Sequence, residues 1–164
     1  MGPTCSIMYE NEPMEKNTML QKPKAFTTNL FNWKELFISI IQGLVITVGA
    51  LFIYQYAVMN DYSEALTRTM IFVVLVSANI FLTLVNRSFF YSILTTLRYK
   101  NNLVVIIISI TLALVILILA VGPITVFFDF ERMSFKQLLL STSVGFVSVI
   151  WFEMVKFLRR MRKR

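Results

Sequence analysis

Four long apolar segments separated by shorter polar ones set the pattern of this chain. They run over residues 36–59, 68–87, 103–121 and 138–158. An α-helix rises about 1.5 Å per residue, so about 20 residues cross the hydrocarbon core of a bilayer. The pattern therefore predicts an all-α fold in the form of an integral membrane four-helix bundle with four spans.

The third segment is the least ambiguous of these spans. Residues 103–121 contain no charged side chain, and only Ser109 and Thr111 are polar. A helix in the core of a small soluble protein would not be apolar on every side, so this segment favours a membrane setting. Gly122 and Pro123 follow it and are expected to end the helix.

The second segment differs from the others because polar side chains interrupt its apolar body. Ser77, Asn79 and Thr83 all lie within residues 70–87. An amide without a partner in hydrocarbon is costly, so such residues usually face a bundle interior, a cavity or a ligand. Asn79 is the strongest functional candidate, with Thr83 at i+4 on the same helix face and Ser77 as a further oxygen donor. Their oxygens suit alkali or alkaline-earth cations, and a hydrogen bond between helices is the equally weighted alternative.

The polar segments have distinct characters. Residues 1–35 hold three of the four prolines and charges of both signs, which predicts an irregular, water-exposed arm, with helix resuming after an N-cap at Asn32. Residues 88–102 are rich in aromatic and basic side chains and fit either an amphipathic segment at the membrane surface or an ordinary loop. Gly43 and Gly49 either admit a neighbouring helix closely or have no special role.

Composition agrees with a membrane protein. The mean hydropathy is +0.69, and 57% of the residues are hydrophobic against 15% charged. The net charge of +7 owes much to a basic cluster after the last apolar segment, a position that faces anionic lipid in membrane proteins. We therefore expect the lipid bilayer as a partner and no nucleic acid. The cluster consists of Arg159, Arg160, Arg162, Lys163 and Arg164.

The distribution of charge also predicts the topology. Basic residues flank the spans in the N-terminal arm, in the connector around residues 87–100 and at the C-terminus. The other two loops instead contain Asp61 and Glu64, then Asp129 and Glu131. By the positive-inside rule, both termini and the middle connector are cytoplasmic, and the acidic loops lie outside.

Residue counts exclude several kinds of catalytic chemistry. The chain has no histidine and a single cysteine, Cys5, which removes Ser-His and Cys-His triads, the usual zinc sites and an internal disulfide. The five glycines form no phosphate-binding loop. We therefore expect no catalytic residue, no cofactor site and no metal site beyond Asn79, whose lone amide would not bind a divalent ion strongly.

Glu153 and Lys156 form a second candidate pair near the end of the fourth segment. Their i, i+3 spacing puts them on one helix face, where we expect an ion pair as the chain leaves the bilayer. A proton or cation site is the less favoured alternative.

Several motifs resemble one family of transport proteins. Residues 2–24, GPTCSIMYENEPMEKNTMLQKPK, are similar to the end of the sixth membrane helix and the following loop of calcium-pump-like P-type cation ATPases. Downstream, RTMIFVVLVSANIFLTLVNRS resembles the eighth helix of that family, GPITVFFDF its outer loop before the last helix, and WFEMVKF its tenth helix. The resemblance covers essentially the whole chain and implies that the spans correspond to helices seven to ten of a ten-helix pump.

The resemblance also bears on the candidate site. Several calcium pumps have an acidic cation ligand where this chain has Asn79, so the amide weakens or alters divalent binding by this helix. The D-K-T-G motif with the phosphorylated aspartate and the nucleotide-binding domain are not in this chain. ATP and Mg²⁺ are therefore implied only for a full pump, and we expect no ATPase activity from this chain alone.

Together these features predict the C-terminal membrane-domain fragment of a P-type ATPase, or one piece of a split pump, that transports Ca²⁺ or a related cation. Residues 1–35 would be the tail of a preceding membrane helix with its loop, and residues 36–164 a four-span domain that scaffolds the transport helices beside the N-terminal part of the pump. The expected location is the cell membrane, as a multi-pass protein of the bacterial plasma membrane. Alternatives are a stand-alone four-helix exporter or regulatory subunit, and a product without activity.

Overall fold

The fold consists of helices joined by short connections. The computed structural model describes residues 33–86 and 102–161, and their side chains except at 34–35, 102–103 and 156–161. In these ranges the chain forms five helices and no strand, which confirms the all-α prediction. The helices are α1 (Trp33–Met59), α2 (Glu64–Val85), α3 (Asn102–Ala120), α4 (Gly122–Phe127) and α5 (Phe135–Met161).

Three of the described helices contain a stretch long and apolar enough to cross a membrane. These stretches are Leu36–Met59, Glu64–Val85 and Phe135–Val155, and α3 adds the shorter apolar stretch Val104–Ala120. Each predicted span coincides with one of these helices, so the prediction of a membrane-spanning helical protein is confirmed. The third predicted span corresponds to the shorter stretch in α3, so the number of four spans stays a prediction.

The start of α2 is set by a cap rather than by hydrophobicity. The apolar pattern predicts this span from residue 68, but the helix begins at Glu64. The Ser63 hydroxyl accepts a hydrogen bond from the N–H of Leu66 at 3.1 Å, and the acidic Glu64 occupies the first turn, where the helix dipole favours negative charge. Hydrophobic periodicity locates the apolar body of a helix, whereas the capping side chain fixes its first turn.

The predicted break after α3 is confirmed. Val121 has an extended backbone, and Pro123 lies in the first turn of α4, where its missing N–H costs no hydrogen bond. After α4, Asp129 has a positive φ of 53°. The N–H of Phe130 then donates to the carbonyl of Thr125 at 2.9 Å. These features reverse the chain and lead into α5.

The helices α1, α2 and α5 pack into a core in which α2 is central. The contact between α2 and α5 is the most extensive, and 44% of the membrane stretch of α2 is buried against 17% of that of α1. Two apolar clusters fill this core. The first contains Ile53, Ala57, Leu66, Met70 and Val74, and the second Ala78, Val85, Val149 and Phe152.

Glycine permits the closest helix contact in the core. A Cβ atom at Gly145 of α5 would lie 2.9 Å from the Val74 carbonyl oxygen of α2, too close for any side chain. Gly49 of α1 is likewise covered by Ser148 of α5, whereas a Cβ at Gly43 would meet nothing within 4 Å. Of the two alternatives for these glycines, close approach therefore holds for Gly49 and the absence of a special role for Gly43.

The helix α3 stands apart from this core. Among the helices of the described ranges, it packs closely only against α4. Much of its surface is exposed apolar side chain, including Ile106, Leu114 and Ile116. Its sequence is apolar on every side, which suits a helix surrounded largely by lipid.

Several predictions concern residues outside the described ranges or the orientation in the membrane. The arm up to residue 32, including the proposed cap at Asn32, and the connector at residues 87–101 lie outside the described residues. The domain boundary at residue 35 and the cytoplasmic location of both termini therefore stay predictions.

Candidate functional site

The central residue of the candidate site, Asn79, lies outside the three-helix core. Its side chain is exposed, whereas the adjacent Ala78 is completely buried in the second apolar cluster. The side-chain nitrogen Nδ2 donates a hydrogen bond to the carbonyl of Leu75, one turn earlier, at 2.8 Å. The amide oxygen is left as an acceptor on the outer surface of α2.

Thr83 follows Asn79 by one helical turn but is placed differently. Its side chain is buried, and its hydroxyl donates to the backbone carbonyl of Asn79 at 2.8 Å. The two residues are thus linked through the backbone, while one side chain faces outward and the other is enclosed. Cation binding by this pair remains a prediction.

Ser77 points elsewhere. It contacts Gly145 at the close crossing of α2 and α5, and it lines a cavity between α2, α3 and α5. The structure therefore separates Ser77 from Asn79, although only one residue lies between them in the sequence. A helix turns by about 100° per residue, so neighbouring positions point in different directions.

The exposed amide is energetically unusual for a membrane helix. Its bond to Leu75 uses one of its two N–H groups, and the carbonyl oxygen has no hydrogen bond within the described residues. Lipid offers no donor at this depth, so an unpaired amide oxygen there is costly. The outer surface of α2 at this point therefore requires a partner such as another helix, water or a cation.

No acidic cluster accompanies Asn79. Within residues 33–86 and 102–161, no group of three or more histidine, cysteine or acidic side chains is arranged to hold a metal ion. The part of α2 around Asn79 carries no charge, since residues 69–86 contain no ionisable side chain. The site as built from these helices is a single neutral oxygen donor.

A partly buried pair of amide side chains was not predicted from the sequence. Gln42 of α1 is 4% exposed, and its Nε2 donates to Oδ1 of Asn86 at 3.2 Å. In return, Nδ2 of Asn86 donates to Oε1 of Gln42 at 3.4 Å. The interruption of an apolar run by Gln42 was the available signal, and the pair fastens α1 to the end of α2.

The acidic loops converge at the other end of α2. Arg68 bridges Asp129 at 3.3 Å and Glu64 at 3.4 Å, but both carboxylates are largely exposed, so water weakens the attraction. Buried Thr69 makes the firmer link, because its hydroxyl accepts the backbone N–H of Glu131 at 3.0 Å. The Glu131 carboxylate also accepts a hydrogen bond from the Ser63 hydroxyl.

The second candidate pair stays a prediction. Glu153 is half-buried on α5 and takes part in an interaction with the rest of the chain. The side chain of Lys156 lies outside those described, so the proposed ion pair between them is not tested.

Comparisons with known proteins complete the description of the site. No curated protein matches the chain significantly. Residues 1–158 match the family model described as "Cation transporting ATPase, C-terminus". This match extends over all the described helices up to the last turn of α5.

Proposed function

Since the chain belongs to the family formed by the C-terminal regions of cation-transporting ATPases, we propose that it supplies a weak cation ligand, Asn79, to the transport path of such a pump. The family and the apolar helices make it a multi-pass membrane protein of cation transport, in contact with lipid and with the transported cation. The remaining helices of the path, the nucleotide site and the phosphorylated aspartate would belong to a separate part of the pump.

The observation that carries this proposal is the outward-facing oxygen of Asn79. In a membrane helix, a polar group on an exposed face marks a contact with something other than lipid. The face is not used by α1 or α5, so it is open to the helices that bind the cation in a complete pump. An amide oxygen is a hard, neutral ligand of the kind that completes the coordination of alkali and alkaline-earth ions.

We infer Ca²⁺ or a chemically related ion as the cargo. A single neutral oxygen attracts a divalent cation only through its dipole, so carboxylates from other helices would have to provide most of the affinity. The role of this chain would then be to hold one wall of the path and to adjust selectivity. ATP hydrolysis is not expected from this chain alone, because its sequence lacks the phosphorylation motif.

The proposal is tested by Asn79→Ala in a complete pump of this family in which this chain supplies the last membrane helices. Loss of one neutral ligand, worth about 1 kcal/mol, should raise the cation concentration for half-maximal ATP-driven uptake into vesicles about fivefold. Asn60→Ala is a matched control, because Asn60 is also exposed and also donates Nδ2 to the carbonyl four residues earlier, at 2.8 Å.

The two substitutions separate ligand loss from loss of the local hydrogen bond. We expect the half-maximal concentration to stay unchanged in Asn60→Ala. An unchanged value in Asn79→Ala as well would remove Asn79 from the cation path and leave it as a contact between helices. As a further test, Asn79→Asp should tighten the binding of Ca²⁺ more than that of a monovalent ion, because it adds a full charge.

A further inference from the structure

An apolar cavity lies between α3 and the pair formed by α2 and α5. It has a volume of about 380 Å³ and is lined by apolar side chains of α2, α3 and α5. Among the described residues that line it, Ser77 and Thr142 are the two polar ones. We propose that this cavity binds an acyl chain of a membrane phospholipid, which fills the gap between α3 and the α2–α5 pair.

The shape of α3 explains why the cavity is not filled by protein. Its lining residues Leu112, Val115, Ile116 and Leu119 recur at helical spacing and form one face. This face is turned toward α2 and α5, yet among the helices of the described ranges the α3 backbone packs closely only against α4. An unfilled apolar gap would cost the lining atoms their dispersion contacts, so an occupant is favoured.

Water is a poor occupant for this space. A buried water needs two to four polar partners, and the cavity offers only two hydroxyl groups among apolar walls. The cavity also opens onto the surface that faces lipid, because Ile116 both lines it and is 64% exposed. The fluid that reaches the opening is therefore hydrocarbon.

The dimensions favour a single acyl chain over a helix from another protein. On α2 the lining extends from Val73 to Phe81, which corresponds to about 12 Å of helix length. This length is less than half of the roughly 30 Å of hydrocarbon that a membrane-spanning helix crosses, and it is close to the thickness of one leaflet. A slender, flexible apolar chain that runs parallel to the helices matches this shape.

The position of the cavity indicates the leaflet that supplies the lipid. Its lining residues on α5, Leu138 and Thr142, belong to the first two turns of that helix. The connection that precedes α5, residues 128–134, lies at the same end. The acyl chain would therefore enter from the leaflet that borders this connection and extend toward the middle of the membrane.

The experiment uses the full chain in phosphatidylcholine vesicles that contain a trace of phosphatidylcholine with a photoreactive diazirine in its acyl chain. After illumination, mass spectrometry locates the labelled residues. We expect label on the cavity-lining positions Val76 and Ile80 of α2. The variant Val115→Trp should fill the cavity and abolish this label. The control Leu114→Trp, on the exposed opposite face of α3, should leave it unchanged.

Several results would overturn the proposal. They are the absence of label from Val76 and Ile80 in the unmodified chain, equal loss of label in Val115→Trp and Leu114→Trp, and persistence of label in Val115→Trp. Helix content by circular dichroism checks that the variants fold. If Val115→Trp does not, Thr142→Phe fills the same space from α5 and is held to the same outcomes.

Discussion

At the scale of single residues, the packing of this protein depends on glycines at which a neighbouring helix leaves no room for a side chain. The hydrogen of Gly145 is the only substituent that fits beneath the Val74 carbonyl of α2. Gly43, on the other hand, faces open space although it also lies in an apolar helix. The same residue type thus has a steric role at one position and none at another, which an isolated sequence does not distinguish.

We expect Gly145→Ala to destabilise the α2–α5 contact. The added Cβ would meet a backbone oxygen at 2.9 Å, and overpacking of this kind costs about 1–3 kcal/mol. Gly43→Ala should be neutral or slightly stabilising, because alanine is the better helix former and nothing lies in its way. Unfolding of the purified chain in detergent by a graded denaturing detergent measures both. Equal stability of the two variants would contradict the close crossing.

At the scale of helices, hydrophobic pattern was sufficient to predict which segments are helical but not how they are arranged. The break at Gly122 and Pro123 follows from local chemistry and was predicted. The position of α3 was not, because a helix that is apolar all round has no preferred face in its sequence. The outward orientation of Asn79 was also inaccessible, since periodicity shows that it shares a face with Thr83 but not what covers each of them.

The link between α2 and the connection before α5 yields a prediction at this scale. Thr69→Val keeps the shape of the side chain but removes the acceptor for the N–H of Glu131. Loss of one hydrogen bond costs about 0.5–1.5 kcal/mol, so amide hydrogen exchange at residues 129–134 should become faster. Thr69→Ser retains the hydroxyl and should preserve slow exchange. Protection that is equal in all three proteins would show that the hydrogen bond does not hold this connection.

The Arg68 ion pairs provide a contrast for that measurement. Both carboxylate partners are largely exposed, and exposed pairs contribute at most about 1 kcal/mol. The neutral hydroxyl of Thr69, which is completely buried, is therefore expected to hold the connection more firmly than the charged side chain beside it.

At the scale of the whole molecule, the predicted topology places the two ends of α2 on opposite sides of the membrane. The connection at residues 60–63 and the one at 128–134 are joined by contacts of Ser63, Arg68 and Thr69, so they lie on the same side of the membrane. A common side of the membrane was expected for these two connections, because both are acidic. Which side of the membrane they face is predicted only by the basic residues elsewhere.

Cysteine accessibility tests which side of the membrane these connections face. In a Cys5→Ser background, which contains no other cysteine, Tyr62→Cys should react with a membrane-impermeant maleimide added to intact cells. A cysteine at Arg162 should react only after the membrane is opened. Labelling of only the cysteine at Arg162 in intact cells would show that the topology is the inverse of the predicted one. Equal reactivity of both sites in intact cells would also exclude the predicted orientation.

The amide pair between Gln42 and Asn86 has a consequence for the biogenesis of the protein. The two side chains satisfy each other, and only residues 60–63 separate the helices that carry them. Each amide alone would resist partition into hydrocarbon, but a preformed hairpin exposes neither of them to it. The first two spans are thus suited to leave the translocon together, as a helical hairpin, before the rest of the chain has been synthesised.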